Sequence, residues 1–104
     1  MRNSFVILFV LLSSVLAHAI ERNCTISQDA TGYYDSGNYR DMLYLRNSSL
    51  SAWSSRMARD VLEWRAKLIP TGATVDVVEN QGDALVISFQ GNKYYVMPDY
   101  VDCP

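Results

Sequence analysis

Hydrophobic side chains recur every three or four positions along residues 50–68. They are Leu50, Trp53, Met57, Val61, Trp64 and Leu68, and polar or charged residues fill most positions between them. This period matches one face of an α-helix, so the sequence predicts a helix over this segment, capped by Ser49 or Ser51. Pro70 forces the residue before it out of helical geometry and sets the end of the helix. We expect the apolar stripe to pack in the core; the alternative is a face for a membrane or a partner helix.

After Pro70 the hydrophobic period changes from 3.6 to two. Apolar and polar residues alternate at 73–77 and at 85–89, with turn residues at 79–83 between them. Two more strands are expected at 93–97 and 101–103, the first of them following a hairpin turn at Gly91. Upstream, the sequence predicts one strand at 24–27 and a loop at 28–41. The expected fold is therefore mainly β with one helix.

A predominantly apolar run of residues 5–16 precedes the expected domain. Ala17 and Ala19 place small residues where a signal peptidase cleaves. The run is shorter than the ~20 residues that a membrane-spanning helix needs, so we predict a signal peptide at 1–19 rather than an anchor. Residues 20–104 then form a single exported domain, periplasmic or secreted, with no stable membrane anchor after cleavage.

Cys24 and Cys103 lie near the two ends of the exported segment. Disulfides persist in the compartments that exported proteins reach, so we expect the two cysteines to pair. The bond would enclose 78 residues and, in the chain-entropy model, contribute about 4 to 5 kcal/mol. It would also bring the ends of the domain together. Two free thiols or an intermolecular bridge are the alternatives.

The chain after Ala19 contains no histidine. This excludes histidine-dependent nucleophilic sites, histidine general bases and histidine-ligated zinc from that segment. The spacing of the carboxylates indicates no catalytic pair, and the two cysteines lack further soft ligands. We therefore expect a protein that is not an enzyme and holds no cofactor and no metal.

The charge of the exported segment is −3, from eight basic and eleven acidic residues. This balance disfavours general nucleic-acid binding. The charges are also unevenly distributed, with a net +3 over residues 46–67 and −4 over residues 70–104. Either the two segments attract each other and remain solvated, or one of them forms a charged docking surface.

Several short motifs follow one another between residues 42 and 103. They are Leu43-Tyr44-Leu45-Arg46, Gly72-Ala73-Thr74-Val75-Asp76-Val77, Gly82-Asp83, Ser88-Phe89-Gln90-Gly91-Asn92, Tyr95-Val96 and Pro98-Asp99-Tyr100-Val101. In this order they resemble the bacterial SH3-like (SH3b-type) domains of secreted and cell-envelope proteins. The resemblance implies a small antiparallel SH3-like barrel, here with a helical insertion at about 49–69 between its first and second strands. The sequence departs from the family at Ala84, where a tryptophan is common, and at Tyr94, where a glycine is common.

Aromatic residues make up ten of the 85 positions after Ala19, seven of them tyrosines. A domain of this size cannot bury all of them, and tyrosine suits binding surfaces because its large ring carries a polar hydroxyl. On the strand at 93–97 alternation sends neighbouring side chains to opposite faces, and the resemblance assigns the family's aromatic position to Tyr95, so Tyr94 is expected outside. The predicted contact surface consists of Tyr44, Trp53, Arg56, Arg59, Tyr94 and Tyr100.

The resemblance implies that this surface recognises a cell-wall peptide or an envelope protein. A second hypothesis is an inhibitor or immunity protein that blocks a toxin or a wall hydrolase, which suits a small, exported, disulfide-bonded domain. A third is an assembly subunit of an envelope complex. All three describe a binding protein, and they differ in the partner.

Overall fold

A computed structural model of the chain describes residues 21–104, and the predicted signal peptide at 1–19 lies outside this range. The elements of the described part, in chain order, are β1 Glu21–Ile26, β2 Ala30–Tyr33, α1 Ser36–Ser48, α2 Leu50–Leu62, β3 Ala66–Ile69, β4 Thr74–Asn80, β5 Leu85–Phe89, β6 Asn92–Val96, a 3₁₀ turn at Pro98–Tyr100, and β7 Val101–Asp102. Neither helix of this part is long and apolar enough to span a membrane.

The seven strands of residues 21–104 form one antiparallel sheet in the order β3-β2-β6-β5-β4-β1-β7. One face of the sheet carries a cluster of buried apolar side chains. This cluster joins Ile69 of β3 to Ile26 of β1, although four strands separate β3 from β1 in the sheet. The sheet therefore curls around the cluster, but it does not close into a barrel. The prediction of a mainly β, antiparallel domain is confirmed, while the SH3-like barrel is not observed.

The opposite face of the sheet is covered by the helices. Tyr39 and Met42 of α1 pack against Tyr33 of β2 and Ala66 of β3, and Met57 and Val61 of α2 cover the edge of this second cluster. Both helices lie between β2 and β3 in the chain, so one helical hairpin connects two neighbouring strands. Both faces of the sheet are thereby protected from water over β2, β3 and β6, whereas Thr25 of β1 and Thr74 of β4 are exposed on the face opposite the curled core.

The prediction of a single helix over residues 50–68 is wrong at its C-terminal end. α2 begins at Leu50 as expected, with the Ser49 side chain accepting a hydrogen bond from the Ala52 amide, but it ends at Leu62. Trp64 has a φ of 63°, a left-handed conformation that a helix cannot continue through. Leu68 continues the helical spacing in the sequence by coincidence, because it lies on β3.

The prediction of a loop at 28–41 is also wrong. This segment contains β2 and the start of α1, so the domain has two helices in its described part, and the helical segment is longer than the predicted insertion at 49–69. The polar residues 35–38, which resemble a turn, begin α1. The Asp35 side chain accepts a hydrogen bond from the Asn38 amide at 3.1 Å, which is the usual function of an N-cap residue.

The four strands predicted after Pro70 are present as β4 to β7. Their bounds agree with the predicted ones to within one residue, except that β4 extends to Asn80, past a bulge between Val77 and Glu79. The hairpins on either side of β5 contain Gly82 and Gly91, which have φ values of 88° and 83°. Glycine adopts these angles without the steric cost that other residues carry.

Cys24 and Cys103 form the predicted disulfide. β1 and β7 are antiparallel neighbours at this point, with Thr25 opposite Asp102. The bond therefore secures β7, a strand of only two residues, to the rest of the sheet. A structural disulfide indicates that the protein works in an oxidising compartment.

Removing this disulfide is expected to destabilise the domain strongly. The two cysteines are 79 positions apart in the sequence. The chain-entropy model gives about 4 to 5 kcal/mol for closing a loop of this length. The doubly substituted variant Cys24→Ser, Cys103→Ser should therefore unfold at a much lower urea concentration than the oxidised protein, as should the reduced wild type. Equal midpoints for the oxidised and reduced protein would contradict this assignment.

Candidate binding surface

The six residues predicted to form one contact surface occupy different environments. Tyr44 on α1 and Arg59 on α2 are exposed, Trp53 and Tyr100 are half-buried, Arg56 is largely buried, and Tyr94 is fully buried. The structure therefore does not bring all six together on an open surface.

The expectation that Tyr94 faces outwards is wrong. Tyr94 and Val96 lie on the face of β6 that lines the curled core, whereas Tyr95 lies on the helix-covered face. The Tyr94 ring packs over Gly32 of the neighbouring strand, where an added Cβ would approach the Tyr94 Cβ to 3.0 Å. The missing side chain of Gly32 thus leaves the space that the Tyr94 ring fills. Alternation correctly predicted opposite faces, but it did not indicate which face was the core.

Trp53 and Tyr100 contribute mainly to packing. The indole N–H of Trp53 points at the Met42 sulfur at 3.0 Å, and the Arg46 guanidinium lies 5.7 Å from the centre of the indole ring. Tyr100 packs against both apolar clusters. Tyr44, with 72% of its surface exposed, is the one aromatic residue of the predicted set that is freely accessible.

Arg56 belongs to a buried polar network centred on Asp60, whose side chain is completely buried. The carboxylate accepts hydrogen bonds from the Tyr33 hydroxyl at 2.7 Å, from Arg56 Nε at 2.9 and 3.0 Å, and from Arg65 Nε at 2.9 Å. Arg56 also donates to the Asn38 side chain. These contacts join β2, α1, α2 and the turn before β3.

The pKa of Asp60 reflects two opposing effects. Burial raises it because the charged form loses its hydration. The hydrogen bonds from Tyr33, Arg65 and Arg56 outweigh burial and hold the pKa of the carboxyl below its ordinary value. Burial and the bond to Asp60 raise the pKa of the Tyr33 hydroxyl. Asp60 is therefore a saturated carboxylate, and it has no free oxygen with which to act as a general base.

A groove of about 470 Å³ lies between α2 and strands β2 and β3. It is lined by Thr31, Ser54, Met57, Ala58, Val61, Leu62 and Leu68. The lining contains no charged side chain. Leu62 and Leu68 are 79% and 61% exposed, and Trp64, between them in the chain, is 83% exposed. We call the groove together with Trp64 the α2–β3 surface.

The turn that displays Trp64 is held by the same network that buries Asp60. The backbone N–H of Arg65 donates to the Asp60 carbonyl at 2.8 Å, and the Arg65 side chain binds the Asp60 carboxylate. Trp64 lies between these anchored positions in its left-handed conformation. The structure thus holds an exposed tryptophan on a fixed turn. Sequence reasoning missed this surface because Trp64 and Leu68 matched the period of the helix.

Among the described residues, a single surface ion pair joins the basic segment at 46–67 to the acidic segment at 70–104. Arg46 of α1 binds Asp99 at 3.2 Å, which joins the basic segment to the acidic one, and Arg40 binds Asp83. The expected attraction between the two segments is therefore seen at one ion pair, Arg46–Asp99. Within residues 21–104, no group of three or more metal-ligating side chains is arranged to hold an ion.

The chain matches no family model, no curated protein and no solved structure. The resemblance to SH3-like domains therefore stays a prediction.

Replacing the buried carboxylate is expected to be costly. Asp60→Asn removes the buried charge that Arg56 and Arg65 share, leaving Arg65 with the exposed Glu63 and Arg56 with Asp41 at 3.9 Å, and it should lower the free energy of unfolding near neutral pH by about 3 kcal/mol. Because the folded pKa of Asp60 is lower than the unfolded value of about 3.9, its stabilisation is complete above that value and is lost as the pH falls through the folded pKa. Wild type should therefore lose stability in acid more steeply than Asp60→Asn.

Urea unfolding at a series of pH values from neutral down to about 2 measures both effects. Asp102→Asn is the matched control, because Asp102 is an exposed residue of β7, and it should behave like wild type. If the free energy of unfolding falls equally steeply in acid for wild type and Asp60→Asn, the Asp60 network is not the source of the pH dependence.

Proposed function

We propose that this protein is an exported, non-catalytic binding module that docks a protein partner on its α2–β3 surface. The observation that carries the proposal is the exposure of Leu62 and Leu68 on an apolar groove, with the exposed Trp64 on the turn between them in the chain. Contiguous exposed apolar surface on a small soluble domain is typical of an interaction site. Tryptophan in particular is enriched among the residues that dominate binding energy.

The absence of a reactive group at this surface supports a non-catalytic role. The groove contains two hydroxyl side chains, Thr31 and Ser54, and no acid, base or thiol to activate them. The buried carboxylate of Asp60 is saturated by three donors. A surface of this kind supplies shape and apolar contact, which are the requirements of binding.

The location of the protein follows from the disulfide together with the N-terminal segment. The disulfide favours an oxidising compartment, and residues 1–19 have the pattern of a signal peptide. We therefore assign the protein to the periplasm or the extracellular medium.

Of the ligands that the SH3-like resemblance implies, the groove favours a protein over a cell-wall peptide. Wall peptides carry free carboxylates and amines, and the lining of the groove offers no charged partner for them. An inhibitor or immunity protein uses the same kind of surface, and it is distinguished by loss of the partner's activity on binding. An assembly subunit is distinguished by a stable stoichiometric complex.

Site-specific photocrosslinking in producing cells tests the docking surface. With p-benzoylphenylalanine in place of Leu68, we expect one discrete protein adduct, because the side chain lies at the rim of the groove. The matched control carries the same group in place of Tyr44, which is also exposed but lies on α1, and it should give no such adduct. The substitutions Leu62→Ser and Trp64→Ser should each reduce the Leu68 adduct.

Two results would contradict the proposal. One is equal crosslinking from positions 44 and 68, which would mean that the α2–β3 surface is not selective. The other is retention of the oxidised protein on purified peptidoglycan that is unchanged by Leu62→Ser and Trp64→Ser, with no protein adduct at position 68.

A further inference from the structure

The solvent-facing side of α2 carries exposed leucines and no charge. Successive residues are rotated by about 100° around a helix axis, so the three charged residues of α2 lie together within an arc of about 100°. They are Arg56, Arg59 and Asp60. A separate arc of about 140° holds the exposed residues Leu50, Ser51, Ser54, Ser55, Ala58 and Leu62. The solvent side of an amphipathic helix normally carries charged residues, so this side is typical of one that contacts another protein.

Every fourth residue of this side belongs to one ridge, which we call the α2 ridge. It consists of Leu50, Ser54, Ala58 and Leu62, large residues at the ends and small ones in the middle. At 1.5 Å per residue the ridge is about 18 Å long. Leu62 lines the groove at one end, whereas Leu50 is 69% exposed at the other end and lies outside the groove. Docking in the groove alone therefore leaves Leu50 in water, and a partner that covers both leucines must extend along the whole helix.

The α2 ridge is complementary to itself. A two-fold axis brings the same patch of two copies together, with the helices antiparallel. If the axis passes midway between Ser54 and Ala58, each of these residues lies opposite the other in the second copy. Leu50 then lies opposite Leu62. The small residues occupy the point where the helices cross and must approach closely, and the leucines fill the space where the axes diverge.

This register also places a side chain at each groove. Leu50 of one copy lies beside Leu62 of the other, at the groove that Val61 and Leu68 also line. Because the contact is symmetric, each copy fills one groove and has its own groove filled. The exposure of Leu50 and the presence of the groove thus have a single explanation.

The distribution of charge and the burial of β3 both favour a contact between the helices of two copies. A charge close to a two-fold axis would repel its own symmetry mate. The α2 ridge has none, and Arg59 is rotated by about 120° from its middle. The edge of β3 does not compete as a site of pairing, because Ala66 is buried under the helices.

We propose that the exported domain forms a two-fold symmetric dimer through α2, with Leu50 of each copy seated at the groove of the other. This rests on the proposed function and names the partner at the α2–β3 surface as a second copy of this chain. A pair of 13-residue helices buries less area than a standard protein interface. The dimer is therefore expected to be weak and to depend on protein concentration.

Sedimentation equilibrium of the oxidised exported protein measures this association. The weight-average mass should rise from one chain towards two between about 10 μM and about 1 mM. Leu50→Ser should weaken the dimer by about tenfold or more, because each dimer loses two buried leucines. The matched control is Tyr44→Ser, which removes an exposed side chain of α1 and should leave the association unchanged.

Paired charge substitutions test the register. Ser54→Asp and Ala58→Lys each place a charge at an exposed position of the α2 ridge. Each variant alone should dimerise more weakly than wild type, because like charges meet across the two-fold axis. Since Ser54 lies opposite Ala58 of the other copy, an equimolar mixture should recover a dimer with one chain of each kind. Circular dichroism checks that both variants fold.

The results distinguish this inference from the proposed function. An adduct at position 68 with the mass of two chains supports both, whereas an adduct of another mass means that docking stands and the dimer is wrong. A protein that stays monomeric at about 1 mM overturns the dimer, and if it then binds vesicles of anionic phospholipid, the α2 ridge contacts a membrane instead. Equal effects of Leu50→Ser and Tyr44→Ser, or no recovery in the mixture of folded variants, also overturn the dimer. Absence of any protein adduct at position 68 contradicts the proposed function.

Discussion

The buried carboxylate of Asp60 is the constraint on which the helical half of the domain depends. A charge removed from water is tolerated only when neighbouring groups replace its hydration. Here Tyr33 of β2, Arg56 of α2 and Arg65 before β3 do so together. Because the three donors come from different elements, the carboxylate fixes where the helical hairpin leaves the sheet and where it returns. Apolar packing of Tyr39 and Met42 adds stability there, but it does not specify this geometry by itself.

The same network determines what the surface displays. Arg65 binds Asp60 through both its backbone and its side chain, which holds the chain in the tight turn after α2. A helix continued through Trp64 would carry Trp64 and Leu68 along the apolar stripe, as the spacing predicts. Ending the helix at Leu62 instead leaves Trp64 on the turn and Leu68 on an edge strand. The exposed apolar surface is thus a consequence of satisfying one buried charge.

The sequence predicts the second half of the domain better than the first, for local reasons. Period-two alternation and glycines at the turns are sufficient to predict β4 to β7. The disulfide is predicted from the oxidising compartment that an exported protein reaches. The first half depends on contacts between distant residues. An aspartate such as Asp35 is common both in turns and at helix N-caps, so the sequence does not distinguish the two. The end of α2 depends on the pairing of Arg65 with Asp60. The burial of Tyr94 depends on Gly32, which is 62 positions away in the sequence. The sequence also places Arg56 on the contact surface, because a positive charge on an amphipathic helix gives no sign of a buried partner.

An exposed edge beside an apolar groove is a hazard for a soluble domain, since such edges template aggregation. The β3 edge contains the features that limit it. Pro70 ends the strand after four residues, Trp64 precedes it in a non-extended conformation, and Lys67 occupies its centre. Each of these opposes pairing between identical copies. The burial of Ala66 under the helices removes half of the outward-facing backbone groups of the strand as well. These features let the apolar groove stay open in the free protein without a full strand edge beside it that would template aggregation.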